Sequence, residues 1–254
     1  MVRIDTKVAF TALAIASGSL DVTAFLRLGG VFASIMTSNL VFVSLAAVEH
    51  DATLAKHCAA VLLSYIVGVG AGSTLARPSG RDSRLGSPRL SALVTAEAIV
   101  LAVCAAWWVA EAARPEGADQ LTLLGAIAFA MGLQAAAARS LGDPEAGTTY
   151  MTGTLTVMVA TAITGRRPDA SAVLAIAGIL VGAAAGVGLL QTVPDLPPFV
   201  AVAGVSFTAG LSWSRQRHKP DGTAAASVPA LSLEGRWAAG DGSAQPSSPS
   251  IGTN

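Results

Sequence analysis

Apolar residues fall into eight long runs separated by short polar gaps, at residues 8–28, 31–48, 55–76, 90–110, 121–138, 149–164, 170–191 and 198–213. A helix rises 1.5 Å per residue, so roughly 20 residues cross a hydrocarbon core about 30 Å thick. Most of the runs meet that length, while 149–164 and 198–213 are marginal. From Ser214 the pattern stops. Gly, Ser, Pro and Ala with scattered charge, as in Asp241-Gly-Ser-Ala-Gln-Pro-Ser-Ser-Pro-Ser, cannot bury enough apolar surface to offset ordering entropy, so a disordered cytoplasmic tail is expected over 214–254.

Composition narrows the class. The 254 residues are 52% hydrophobic and 13% charged, with a mean hydropathy of +0.59, against about 25% charge in soluble domains. An all-α, polytopic membrane bundle is predicted, with the lipid bilayer as its first partner. Lys plus Arg and Asp plus Glu balance at 16 each, which offers nothing to nucleic acid. Cys58 and Cys104 lie in apolar surroundings outside any Cys-x-x-Cys pair and read as small buried hydrophobes. Arg3 and Lys7 before Val8–Ala16 resemble a signal peptide, but the apolar stretch continues past Leu20 into Phe25, so an uncleaved first helix is expected.

Sliding the chain on itself by 113 to 115 residues finds an internal repeat. Gly18-Ser19-Leu20-Asp21 with Leu28-Gly29 returns as Met131-Gly132-Leu133-Gln134 with Leu141-Gly142. Ile35-Met36-Thr37-Ser38-Asn39-Leu40 returns as Tyr150-Met151-Thr152-Gly153-Thr154-Leu155. Ser64, Gly68 and Gly72 return as Gly178, Gly182 and Gly186. The repeats span about 8–110 and 121–213.

Cytoplasmic loops of membrane proteins are enriched in Lys and Arg. Eight crossings divide those residues 6 to 9, in either orientation an unconvincing bias. If the second and sixth segments instead enter and leave on one side, 12 lie inside (Arg3, Lys7, Arg77, Arg81, Arg84, Arg89, Arg139, Arg166, Arg167, Arg215, Arg217, Lys219). Only Arg27, Lys56 and Arg114 lie outside. Six crossings plus two re-entrant or broken segments are therefore expected, with both termini cytoplasmic. Three crossings per repeat is odd, so the repeats must be inverted, a plan that recurs in secondary transporters. Residues 31–48 could still cross unaided as one helix of about 27 Å.

The residues Gly18 to Asp21, Val31-Phe32, Met36 to Asn39, Gly132 to Gln134 and Thr149 to Thr154 resemble the YoaK-type family of uncharacterised bacterial multi-pass inner-membrane proteins. The pattern there is a Gly-x-x-Asp, a Gly-x-Phe leading into Met-Thr-Gly-Asn, then Gly-x-Gln-Asn and Met-Thr-Gly. The resemblance covers residues 8 to 213. Ser38 stands where that family has glycine, and Ala135 where it has asparagine. The resemblance implies a bacterial inner-membrane location and carries no activity.

Candidate chemistry lies inside the spans. Asp21 is an ionisable group at membrane depth, costing about 2.5–3.5 kcal/mol on insertion scales, and so needs a cavity or a partner. A proton or cation site and a structural pair, with Arg27 or a hydroxyl across the interface, are both open readings. Arg27 is about 120° off the face of Asp21. Gln134 is read as its repeat mate. Glu97, eight residues into its span, has no counterpart. Thr37, Asn39, Thr152 and Thr154 put hydroxyls and an amide at equivalent points; an unwound backbone near Ser38 and Gly153 would make them one midplane polar site, and ordinary helices would not. Ser64, Gly68, Gly72, Gly178, Gly182 and Gly186, spaced by four, read as helix-packing positions. His50, His57 and Cys58 read as a wet loop and a buried thiol, and Trp107, Trp108 and Trp213 as interfacial belt residues.

The expectation is a small-solute or ion transporter with a midplane polar site at the repeat interface, requiring no cofactor or metal and catalysing no reaction. The alternative is a non-transporting integral membrane protein, either a lipid-linked enzyme or an assembly factor. The solute's identity and the oligomeric state, a homo-oligomer included, stay open.

Overall fold

The computed structural model describes residues 2–76, 85, 87–140, 151–165, 167 and 169–217. Parts of both motifs around 141–150, several loop arginines and the expected tail from 218 on lie outside them, while residues 214–217, expected in that tail, continue the last helix, with Arg215 paired to Asp5. Among the described residues there are eight helices and no strand: α1 Val2–Arg27, α2 Met36–Val48, α3 Ala52–Leu75, α4 Pro88–Ala110, α5 Gly117–Ser140, α6 Met151–Ile163, α7 Ala170–Thr192 and α8 Pro197–Arg217. Each falls on one apolar run. Helices start where side chains satisfy free backbone N–H groups: Asp51 accepts from Thr53 and Leu54, Ser87 from Leu90, and Asp169 from Ser171.

Five helices are long and apolar enough to cross a membrane, α1, α3, α4, α5 and α7. The chain is thus a helical, multi-pass membrane protein. α8 has 21 residues, enough by length, but Ser206, Thr208, Ser212, Ser214, Arg215 and Arg217 dilute its apolar character. α2 and α6 have 13 residues each, about 20 Å of helix. The unaided crossing considered for 31–48 is therefore not formed, because its first residues are not helical.

α1 and α5 form the centre, with 67% and 78% of their apolar windows buried, against 22% for α3 and 28% for α7. α7 lies along α1, α3 along α5, α8 along α1 and α4 along α5, while α4 and α8 pack on each other. The two long seams are closed by glycine. A Cβ on Gly68 would overlap the carbonyl of Phe129, and one on Gly182 the carbonyl of Ile15. Gly132 meets Tyr65 and Val69 as Gly18 meets Ile179 and Ala183. These glycine contacts of one seam thus recur 114 positions away in the other, the separation at which the Ser17 hydroxyl meets the Met131 sulfur at 3.8 Å. That contact is its own counterpart.

Polar ties identify the two ends of the bundle. At one end Lys7 pairs with Asp169 at 3.0 Å and Asp5 with Arg215, so the starts of α1 and α7 lie beside the end of α8. Ser91 and Ser212 hydroxyls, 2.7 Å apart, add the start of α4. The Asp169 carboxyl is held down to about 2 by the Ser171 hydroxyl and N–H and then by Lys7. At the other end Gln120 donates to the carbonyl of Arg27 at 3.0 Å and meets His57 at 3.2 Å. His57 also packs against Gly29, where a positive φ of 103° and the imidazole both exclude a side chain. Hence α1 ends and α3 begins at the same end, and α2 leaves from and returns to it. α6 joins the end of α5 to the start of α7 at the opposite end.

Two expectations are corrected. His57 is buried, its Nδ1 2.7 Å from the Thr53 carbonyl, because the short α1–α2 connection folds over it. Trp108 is fully buried and donates from Nε1 to the Pro194 carbonyl at 2.9 Å, since the α7–α8 turn covers the end of α4; Trp213 remains partly exposed.

Candidate functional site

The polar centre is built around α1. Ser17, Ser19, Asp21 and Thr23 are all buried, which two-residue spacing allows only on a helix enclosed on most sides. Asp21, 7% exposed, accepts the Ser34 N–H on Oδ1 at 2.7 Å and the Ser34 hydroxyl on Oδ2 at 2.6 Å. Ser34 lies in the non-helical stretch 28–35, which turns at Gly29 and Gly30 and descends beside α1. The partner is thus a hydroxyl and an amide of the chain that follows, and Arg27 takes no part in this tie.

Asn39 holds the same stretch from its far side. Its Nδ2 donates to the Phe32 carbonyl at 2.6 Å, and its Oδ1 accepts the Phe32 N–H at 3.0 Å. One amide side chain thereby satisfies a buried backbone unit that no helix or strand serves. Phe32 in turn stacks between Phe25 and Phe42, at centroid distances of 5.0 and 6.2 Å. Asp21 and Asn39 together fix a loop inside apolar surroundings.

Gln134, 1% exposed on α5, donates from Nε2 to the Ser17 hydroxyl at 2.9 Å, one turn of α1 below Asp21. The structure therefore brings Asp21, Ser34, Ser17 and Gln134 onto one line, with Asn39 behind the loop. The seam contacts of Gly18, Gly68, Gly132 and Gly182 are related by 114 residues, a shift that sets Gln134 against Leu20 and Asp21 against Ala135, whereas the motif match of Asp21 with Gln134 is a shift of 113.

The two Met-Thr motifs sit on helices with different packing partners: Thr37 and Thr152 are exposed and Thr154 is buried, with α2 on α3 and α6 on α7. Ser38 and Gly153 lie in the first turns of their helices. The irregular backbone comes before Met36, because Asp21 and Asn39 supply the hydrogen bonds that would otherwise be helical. Glu97 is buried in α4 and hydrogen-bonded to none of these groups. A groove of about 550 Å3 between α3 and α5, lined by Ser64, Thr122, Gly125 and Phe129 among others, is separate from the Asp21 line. Among the described residues no three metal-ligating side chains cluster.

Sequence reasoning missed Ser34 and Ser17. Their signal was weak: both are lone serines in apolar runs, and only their partners mark them.

A bundle of apolar helices with a buried carboxylate tied to a non-helical loop defines a multi-pass membrane protein with a polar interior. The chain belongs to the family described as Protein of unknown function (DUF1275), whose model matches residues 9–212, in keeping with the YoaK-type motifs. No curated protein and no solved structure matches it.

Proposed function

We propose that this chain is a bacterial inner-membrane transporter of a small solute or ion, built from two inverted repeats of three crossings and one re-entrant helix, with both termini cytoplasmic. The constant shift of 114 residues between the seams supports the repeat. The return of α2 to one end and of α6 to the other supports re-entry, and with it the 12 to 3 division of Lys and Arg. α8 is then the sixth crossing.

The observation that carries the reading is the buried Asp21 roofed by the 28–35 loop. A carboxylate at membrane depth marks a pathway by default, and non-helical backbone at depth is tolerated where it is enclosed or lines a cavity. Release of Ser34 frees both carboxylate oxygens at once, beside Ser17 and Gln134, and gives a small cationic or hydrogen-bonding solute its ligands. One feature favours the second reading, a non-transporting scaffold: in the present state Asp21 is satisfied internally.

The deciding experiment is charge movement or tracer uptake in liposomes holding the purified chain, challenged with a panel of inorganic ions, amino acids, sugars and organic cations. Expected is a response to at least one solute that Asp21→Asn abolishes while folding and abundance persist. A response to none, or an unchanged response in Asp21→Asn, overturns the reading. Topology is checked by thiol labelling after removal of Cys58 and Cys104. Cysteines at Glu116 and Asp195 label from outside, and labelling of one at Ser83 from outside refutes the orientation.

A further inference from the structure

Glu97 is the other deep carboxyl, and its surroundings differ in kind. Along α4 the residues Leu90, Val94, Glu97, Leu101, Cys104 and Trp108 form a buried stripe at steps of three and four, the stripe that faces the core. Glu97 is 0% exposed, and neither carboxyl oxygen has a hydrogen-bond partner. Asp21 is held by Ser34, whereas a buried polar group without any partner is a cost to folding that calls for another explanation.

The Ser91–Ser212 contact at one end and the Trp108–Pro194 contact at the other make α4 and α8 antiparallel. Glu97 stands about 9 Å above the serine pair, level with Val205 of α8, itself fully buried. The remaining titratable groups of α4 and of the helices packed on it are Arg89 and Glu111 at the ends of α4, Asp119 and Arg139 at the ends of α5, and Arg215 and Arg217 at the end of α8. Lys56, His57, Cys58 and Tyr65 lie on α3, and Cys104 two turns along the same stripe. None is hydrogen-bonded to Glu97.

A metal cation would need several oxygen ligands, and the stripe offers Leu, Val, Cys and Trp. A proton needs only the carboxyl itself. We propose that Glu97 is the proton-exchanging group of the transport cycle, taking up one proton when the α4–α8 seam opens to water and giving it back to water when the seam opens again. The step is carboxylate plus proton to carboxylic acid and its reverse, with no other bond changed. It rests on the transport reading above.

The test uses the full chain in liposomes and reads infrared difference spectra between acid and alkaline buffer. Expected is the C=O stretch of a protonated carboxyl on the acid side, shifted by D2O within minutes, kept in Asp21→Asn and absent from Glu97→Gln. An identical band in Glu97→Gln, or a Glu97 band that neither titrates nor exchanges while the protein stays folded, overturns the proposal. Should Glu97→Gln fail to fold, the wild-type chain decides by itself. A hydrophobic carbodiimide should modify Glu97, read by peptide mass, at a rate falling about tenfold per pH unit above its titration, because only the protonated form reacts. No modification, or a rate indifferent to pH, overturns it. If solute moves but Glu97 is silent, transport stands and proton coupling here falls. If Glu97 titrates in a chain that moves no solute, the transport reading falls and this role with it.

Discussion

The half from α1 to α4 and the half from α5 to α8 share one packing scheme and differ in chemistry. α3 meets α5 as α7 meets α1, with Gly68, Gly72 and Gly132 in one seam answering Gly182, Gly186 and Gly18 in the other. Yet the first half holds Asp21 and Glu97, while the position related to Asp21 in the second is Ala135 and nothing answers Glu97. Packing constrains backbone approach, which repeats faithfully because any Cβ in the seam collides. Polar burial costs stability wherever it is placed and is retained only where it has a use. The two halves separate these demands within one molecule, the seams being common to both and, among the described residues, the buried carboxyls confined to one.

The strongest way to break the comparison is to fill the seams. Gly68→Ala and Gly182→Ala should each destabilise by about 1–3 kcal/mol, the range of overpacking in close-packed cores, and by similar amounts, since each Cβ meets a carbonyl of the central helix. Reversible unfolding in mixed detergent measures this. A large loss in one half and none in the other would show that the seams are not equivalent.

Next comes the 28–35 loop, held by the side chains of Asp21 and Asn39. Ser34→Ala takes the hydroxyl from Oδ2 of the Asp21 carboxylate while the residue 34 N–H stays on Oδ1, and should cost about 1.5–3 kcal/mol, the usual range for a hydrogen bond to a charged group. Asn39→Ala should cost about 1–3 kcal/mol by leaving both Phe32 backbone groups unserved. In each variant hydrogen exchange should speed up at residues 28–35 and stay unchanged in α7. Unchanged exchange there would show that the loop is held by packing.

Gln134→Leu tests the polar line from the other side. It removes one donor to Ser17 and should cost about 0.5–1.5 kcal/mol, less than the loop variants, as read by the same unfolding assay. A larger loss would make Gln134 the principal tie between the halves.

The smallest effect belongs to the Lys7–Asp169 pair, which joins the halves at the surface. Because the folded carboxyl titrates at about 2, below its ordinary 3.8, its contribution is complete above the ordinary value and is lost as pH falls through the folded one. With the Asp169 side chain 64% exposed, screening limits this to under about 1 kcal/mol. Asp169→Asn should remove that part of the pH dependence of melting between about pH 4 and 2. The same pH dependence of melting in Asp169→Asn as in the wild-type chain would contradict it.

The helices were legible because hydrophobic runs set their length: each of the eight falls on its run, most ends within a few residues. The glycine ladders were legible because steps of four share a face. The start of the second segment was not. Val31-Phe32-Ala33-Ser34-Ile35 is as apolar as a helix, and what keeps it extended is hydrogen bonding to Asp21, thirteen residues before Ser34, and to Asn39, seven after Phe32. Hydropathy sees side chains; this loop is decided by backbone partners elsewhere. Asp21 could likewise be picked out as needing a partner while Ser34 could not be named, and Thr37 and Thr152 looked equivalent in sequence though their helices pack on different partners.

The enclosure of Trp108 gives the molecule an internal optical probe. Its indole is shut away from water and bound to the turn that links α7 and α8, whereas Trp213 stands at the periphery with its N–H on Thr95. Emission from Trp108 should therefore be blue-shifted and insensitive to iodide, and lifting of the Pro194 turn would redden it. Any movement of the α4–α8 seam that carries this turn along can then be followed, without a label, through the colour of Trp108 in a chain whose other three tryptophans, Trp107, Trp213 and Trp237, are replaced by phenylalanine.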